Sequence, residues 1–358
     1  MRTIIGHQWA IDLLSRQLAQ GRVAHAYLFT GAPQVGKGSL AQWFAQALLC
    51  QASSTSSGLE QADAASGERF VGDGQEAKGA PCGNCSACQK VAAGIHPDLR
   101  LLNLAVQPGE RRTLGIQVIR ELRNGIAERP FAGQRKVHII EDAEAMTPEA
   151  ANALLKTLEE PPSFVVLLIV AISDHLLPST IVSRCQVLPL RIVPRQEVRQ
   201  ALLEQWNASP EQADLLAALS RGRPGWAIQA LQANSVLPKR EADLDKLHQM
   251  LEAGLLERFT FAQKQQQRWR RGKHNDVFDL LACWLGWWRD LQLVGQGCPD
   301  LVVNIDHLEG LRTIARRVPQ RRVLYFLQAL GAAQQQLKDQ VNPRLVFENL
   351  LIQMPTVV

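Results

Sequence analysis

The sequence predicts an α/β domain built on a parallel sheet, then a small helical unit and an all-helical C-terminal region. Three observations carry this. Ala26-Tyr-Leu-Phe-Thr30, Val137-His-Ile-Ile140 and Val165–Ile172 are apolar runs of the kind buried on both faces of a parallel sheet. The first of them runs directly into a glycine-rich loop and an amphipathic helix. From about residue 194 the strand pattern gives way to helical periodicity.

Composition sets the bounds. At 358 residues, with 46% hydrophobic and 20% charged side chains, the chain reads as a soluble protein of two or three domains. No run of about 18 apolar residues suggests a membrane span. Met1-Arg-Thr-Ile-Ile-Gly-His lacks the apolar stretch of a signal peptide, so a cytoplasmic address without a membrane partner is expected. A net charge of +5 permits contact with nucleic acid without demanding it. Seven cysteines, three of them clustered, favour a metal site over a disulfide framework.

In chain order, residues 1–24 read as an opening helix with Ala10, Leu13, Leu14 and Leu18 on one face. Strand Ala26–Thr30 leads into Gly31-Ala-Pro-Gln-Val-Gly36-Lys37-Gly38-Ser39 and a helix with Leu40, Phe44, Ala47 and Leu48 inward. Strand, glycine loop and helix make the context in which backbone N–H groups cradle phosphate and a lysine reaches the β/γ-phosphates. The match departs at Gly38, where a Ser or Thr would carry magnesium. Ser39 is one position late and rotated by about 100° on a helix. The loop either binds nucleotide or keeps the shape without binding it productively.

Residues 51–80, rich in Ser, Gly, Ala and acidic residues, show no apolar periodicity and read as a disordered surface insertion. Cys82, Cys85 and Cys88 follow at three-residue spacing and can converge on one tetrahedral ion, with Cys50 a natural fourth ligand. Zinc is the expected ion, structural because four protein ligands leave no open position. His96 is the runner-up ligand, although His96-Pro97-Asp98 also reads as the turn into strand Leu99–Leu102. Gly115–Ala127 carries Ile116, Ile119, Leu122 and Ile126 on one helical face, with Arg120, Arg123 and Arg129 toward solvent or a partner.

The acidic pair Glu141-Asp142 ends the strand Val137–Ile140, where a P-loop NTPase holds its magnesium. Thr147 reads as an N-cap with Pro148 at the first helical position. Ala151, Leu154, Leu155 and Leu158 then mark a buried face, and Pro161-Pro162 stops the helix. Pro194 to about Gln232 forms a second helical pattern. Beyond residue 237, Trp269, Trp284, Trp287 and Trp288 are core or interface residues, Leu324, Leu327 and Leu330 continue the pattern, and Asn342–Leu351 ends it.

Asn152-Ala-Leu-Leu-Lys-Thr-Leu-Glu-Glu-Pro-Pro162, followed by Ser183-Arg184-Cys185, closely resembles the clamp-loader subunits of bacterial DNA polymerase III. The resemblance covers about the first 230 residues by motif and the rest by architecture. It implies an AAA+ RecA-like domain over 1–190 with a four-cysteine zinc module (50–88), a three-helix lid over 191–235 and a helical collar over 236–358. It also implies that Arg184, flanked by Ser183 and Cys185, reaches across a subunit boundary as an arginine finger on a neighbour's ATP. An always-charged, forked guanidinium suits that role, although an ordinary surface ion pair would place an arginine there too.

Motor and stator readings can be weighed on four elements. Gly31, Gly36 and Lys37 are kept but the magnesium hydroxyl is missing at Gly38. Glu141-Asp142 stands where relatives have Asp-Glu, moving each carboxylate by roughly 1.5 Å where ångström errors cost about a hundredfold. The γ-phosphate-sensing position falls at Ala171-Ile172, before Ser173, and the lid arginine is replaced by Gly225, with Arg223 displaced. These departures favour a non-hydrolysing stator, with ATP binding doubtful. The expected partners are gamma/tau and delta subunits, with the sliding clamp and primed DNA met through the assembly. The alternatives are an ATP-hydrolysing gamma/tau-type motor and a DNA-binding module around Cys82–Cys88.

Overall fold

The computed structural model describes residues 4–54, 79–102, 115, 119, 122, 125–126, 128–233 and 235–356. Two compact units result. One holds residues up to Val198 with Arg223–Gly225; the other holds Arg199–Gly222 and everything from Trp226 onward.

The first unit is a five-stranded, wholly parallel sheet. Its strands are β1 (Ala26–Thr30), β2 (Leu99–Leu102), β3 (Lys136–Ile140), β4 (Val165–Ala171) and β5 (Gln186–Pro189), in the order β2-β3-β4-β1-β5. Every residue of β1, β3 and β4 is buried. This is the reason their sequences are mostly apolar, with Lys136 and His138 of β3 the buried polar exceptions: alternate side chains enter cores on opposite faces. Tyr27 and Phe29 join one core with Leu40 and Phe44 of α2 (Lys37–Leu49) and Leu14 of α1 (Gln8–Ala19). Ala26 and Leu28 join the other, with Leu154 and Leu158 of the helix Pro148–Glu159. A short helix, α3 (Ser86–Ala92), packs beside α2, and Pro148–Glu159 is α4.

Several boundaries differ from the sequence reading. The first helix starts at Gln8 because Gly6 and His7 both have positive φ, and it closes before Gly21, at φ +68°. β4 stops at Ala171, one residue short. β5 has no counterpart in the sequence reading: it has four residues and a half-exposed burial pattern, too little for a sequence signal. Of the 51–80 stretch, Gln51–Ser54 is a turn of helix and Gly79 lies against the Ser15 carbonyl; residues 55–78 are outside the described residues. Ile119, Leu122 and Ile126 are buried as expected, whereas Ile116, Arg120 and Arg123 are outside the described residues.

The second unit is helical. Beyond its share of α5 (Arg195–Trp206), α6 (Pro210–Leu219) and its share of α7 (Pro224–Gln232) come α8 (Val236–Glu252), α9 (Leu255–Arg270), α10 (His274–Gly295), α11 (Leu308–Arg317), α12 (Gln320–Lys338) and α13 (Pro343–Gln353). Trp284, Trp287 and Trp288 of α10 are fully buried. Trp284 stacks on Phe261 at 5.6 Å, and Trp288 meets Phe326 at 4.7 Å. Three indoles at about 200 Å² each contribute roughly 15 kcal/mol of gross apolar burial, so α10 is the spine of this unit. Leu324 does not follow the inward pattern: it is half-exposed, and α12 turns Val323, Phe326 and Leu330 to the core instead. No helix among the described residues is long and apolar enough to cross a membrane.

Candidate functional site

Parallel strands deliver their C-terminal ends to one edge, and the order reverses at β1, which lies between β4 and β5. A cleft of about 700 Å³ opens there. It is lined by the glycine loop from Pro33 to Ser39, by Glu141, Asp142 and Glu144 after β3, by Ala171 and Ile172 after β4, and by Gly225. The loop is fixed from below. Gly31 N–H donates to the Ile172 carbonyl at 3.1 Å, and at φ +143° a side chain on Gly31 would collide with the Leu190 carbonyl. Only glycine fits that position.

Lys37 is folded back onto its own loop. Its Nζ donates to the carbonyls of Gly31 at 2.6 Å and Ala32 at 2.9 Å, and the side chain is nearly buried. Burial lowers its pKa, while Glu144 and Asp142 pull in the opposite direction. Ser39 lines the cleft beside Gly38, on the same first turn of α2. Asp142 adopts the left-handed conformation (φ +50°) at the start of the turn Ala143–Ala145, its backbone carbonyl accepting the Ala145 N–H at 2.9 Å and its side chain making no capping bond. Glu144, which the sequence reading passed over, turns back to β4, its Oε2 accepting the Ile172 N–H at 3.2 Å. An apolar, 43% exposed Ile172 thus occupies the strand end with its amide already engaged. Gly225 N–H donates to the Gln34 carbonyl at 3.0 Å. A Cβ there would sit 2.9 Å from that oxygen, so residue 225 has no space for an arginine while this contact holds.

The arginine landmark lies elsewhere on this unit. Arg184 follows the helical turn Ser179–Val182 and donates through Nη2 to Glu159 Oε1 at 2.9 Å. Its Nη1 donates to the Thr180 carbonyl at 3.0 Å and faces Ser183 Oγ at 3.5 Å. Glu159 belongs to the Leu-Glu-Glu-Pro-Pro run, so two motifs quoted separately in the sequence meet in space. The side chain of Arg184 is 36% exposed, and an ion pair that open to water is worth about 0–1 kcal/mol. Burial pushes the Cys185 thiol up to about 12, so it packs and does not react. Thr147 does cap α4, its Oγ1 accepting the Ala150 N–H at 3.2 Å.

The four cysteines converge. Cys50 ends α2, and the loop carrying Cys82 and Cys85 leads into α3, which supplies Cys88. Sulfur–sulfur separations are 3.5 Å (Cys50–Cys82), 3.9 Å (Cys50–Cys85) and 4.0 Å (Cys82–Cys88). Tetrahedral bonds of about 2.3 Å place ligand sulfurs about 3.8 Å apart, so this set could hold a metal ion. Backbone N–H groups of Cys82 and Cys88 donate to the sulfurs of Cys50 and Cys85, supporting thiolates there. Burial pushes the Cys85 thiol up, but the backbone N–H groups of Cys88 and Gln51 and the neighbouring thiols outweigh it, leaving about 6. His96 is not part of the cluster; its Nδ1 accepts the Asp98 N–H and holds the turn into β2.

Comparison with known proteins finds subunits of DNA polymerase III. A family model described as DNA polymerase III, delta subunit matches residues 6–71 and 64–194, and one described as DNA polymerase III, delta subunit, C terminal matches residues 243–356. DNA polymerase III subunit delta′ of Pseudomonas aeruginosa is 31% identical, over 97% of this chain and 96% of that protein. Subunit delta′ of Bacillus subtilis is 28% identical over 96% and 94%. Subunit tau of B. subtilis is 24% identical over 98% of this chain and 60% of its own length.

Proposed function

This chain belongs to the DNA polymerase III delta′ subunit family, and on that premise we propose that it is a non-hydrolysing stator of the clamp loader. In this reading it takes its place beside gamma/tau and delta subunits, and Arg184 completes the ATP site of a neighbouring gamma/tau subunit while the assembly loads the sliding clamp on primed DNA. The observation that carries it is a contrast between two places on one unit. In the chain's own cleft, Lys37 is engaged with loop carbonyls and residue 38 has no hydroxyl. Outside it, Arg184 stands at the surface on an ion pair that a partner's phosphate would readily outbid.

The domain scheme proposed with it is a RecA-like AAA+ domain over 1–190, a lid over 191–235 and a collar over 236–358. Zinc is the ion proposed for Cys50, Cys82, Cys85 and Cys88. Such an ion ties the end of α2 to α3 and leaves no open coordination position, so its part is structural.

One observation favours a motor instead: the glycines of the loop and Lys37 are retained, and the match to tau of B. subtilis spans 98% of this chain, though 60% of tau. ATP turnover by the purified chain with magnesium separates the two. The stator reading expects none above background. Turnover that Lys37→Ala abolishes would make the chain a motor.

A further inference from the structure

We propose that Gly38 and Glu141 are a matched pair, and that the Glu141 carboxylate fills the place from which a side chain at residue 38 would hold magnesium. The proposal rests on the stator reading and supplies its physical cause. A Cβ added at Gly38 would lie 2.8 Å from Oε1 of Glu141, inside the contact distance of carbon and oxygen. Gly38 sits in the first turn of α2, where any residue can adopt the backbone, so its conformation does not require glycine. What glycine provides there is room, and the glutamate occupies it. An aspartate at 141 would withdraw the carboxylate by about one bond length, roughly 1.5 Å, and release that room.

The clash is with the mobile end of a side chain, so a hydroxyl at residue 38 is compatible with folding. Its consequence is chemical. The hydroxyl introduced by Gly38→Thr would donate its proton to the Glu141 carboxylate, which would keep the volume a hexacoordinate cation and its waters need. Charge points the same way. Among the described residues lining the cleft, Lys37 is the one cation against the carboxylates of Glu141, Asp142 and Glu144. A polyphosphate entering without a bound cation meets net negative charge. The residues present therefore do not fit a magnesium nucleotide, and restoring either member of the pair alone leaves that misfit in place.

The test is calorimetric titration of ATP into the full chain, with and without magnesium chloride, for the unaltered protein, Gly38→Thr, Glu141→Asp and the double variant. Magnesium is expected to leave affinity unchanged in the first three and to raise it at least tenfold in the double. Gly38→Thr matching the double, or a double without a magnesium-dependent gain, overturns the pairing. Gly38→Ser replaces the threonine variant if thermal unfolding shows that threonine disturbs the loop, and the same outcomes apply. ATP hydrolysis by the unaltered protein would instead defeat the stator reading, leaving the pairing to be judged by the four-way comparison.

Discussion

His138 makes the sheet sensitive to acid. It lies in the middle of β3 with no exposed surface, and neither ring nitrogen has a hydrogen-bond partner among the described residues. Burial, with the like charges of Lys136 and Arg100 adding to it, lowers its pKa from 6.5 to about 4. The folded state therefore resists a proton that the unfolded chain accepts. Stability from this source is intact above pH 6.5, declines as pH falls below that value, and is fully lost below about pH 4. At about 1.4 kcal/mol per unit the whole penalty is about 3 kcal/mol, of which about 1.4 kcal/mol is already lost at pH 5.5. His138→Leu keeps a similar volume and removes the titration. It is also expected to stabilise the sheet at pH 7.5, because unpaired buried polar atoms cost about 1–3 kcal/mol. Hydrogen exchange of the β3 and β4 amides, corrected for intrinsic rates, follows this unit apart from the tryptophan-rich helices. The advantage of the leucine variant should grow by about 1.4 kcal/mol between pH 7.5 and pH 5.5. Parallel profiles for the two proteins would refute the reasoning.

Two further predictions concern the scaffold around the site. Asp98 is fully buried and accepts the N–H groups of Phe131, Ala132 and Gly133 at 2.6, 2.8 and 3.1 Å. Asp98→Ala removes all three bonds to a charged acceptor and should cost about 3 kcal/mol in urea unfolding, with a change within error counting against this role. The purified protein should carry one zinc per chain by elemental analysis. Cys82→Ser should lose most of it and lower the unfolding temperature by several degrees, on the order of 2 kcal/mol of lost ligation; full metal retention would show that Cys82 is not a ligand.

How much of this was legible in the sequence depended on whether a feature is local. Strands β1, β3 and β4 were readable because both their faces are buried, which makes β1 and β4 almost wholly apolar and leaves β3 with the branched apolar residues Val137, Ile139 and Ile140 around His138. The cap at Thr147 and the cysteine spacing were readable because their partners lie within a few residues, apart from Cys50. The resemblance carried by Asn152–Pro162 and Ser183–Cys185 agrees with the family comparisons. Contacts that only folding creates were not readable. The Glu159–Arg184 pair joins two motifs that were read separately. Glu144 gave no signal because its role is to accept an amide proton from the end of β4. The closeness of Gly38 and Glu141 needed β1 and β3 to be placed around β4 first. β5 was missed because a short, half-exposed edge strand has too few apolar positions to show a period.

As the stator proposed above, this subunit would act on a neighbour's nucleotide and not on its own. The most direct test is ATP turnover by the clamp loader reconstituted with sliding clamp and primed DNA, comparing the unaltered chain with Arg184→Ala. The expected result is an assembly of unchanged composition and unfolding temperature, with turnover lowered severalfold or more, since a finger is worth about 10³–10⁵ at the one site it serves. Turnover unchanged by Arg184→Ala in an intact assembly would contradict it.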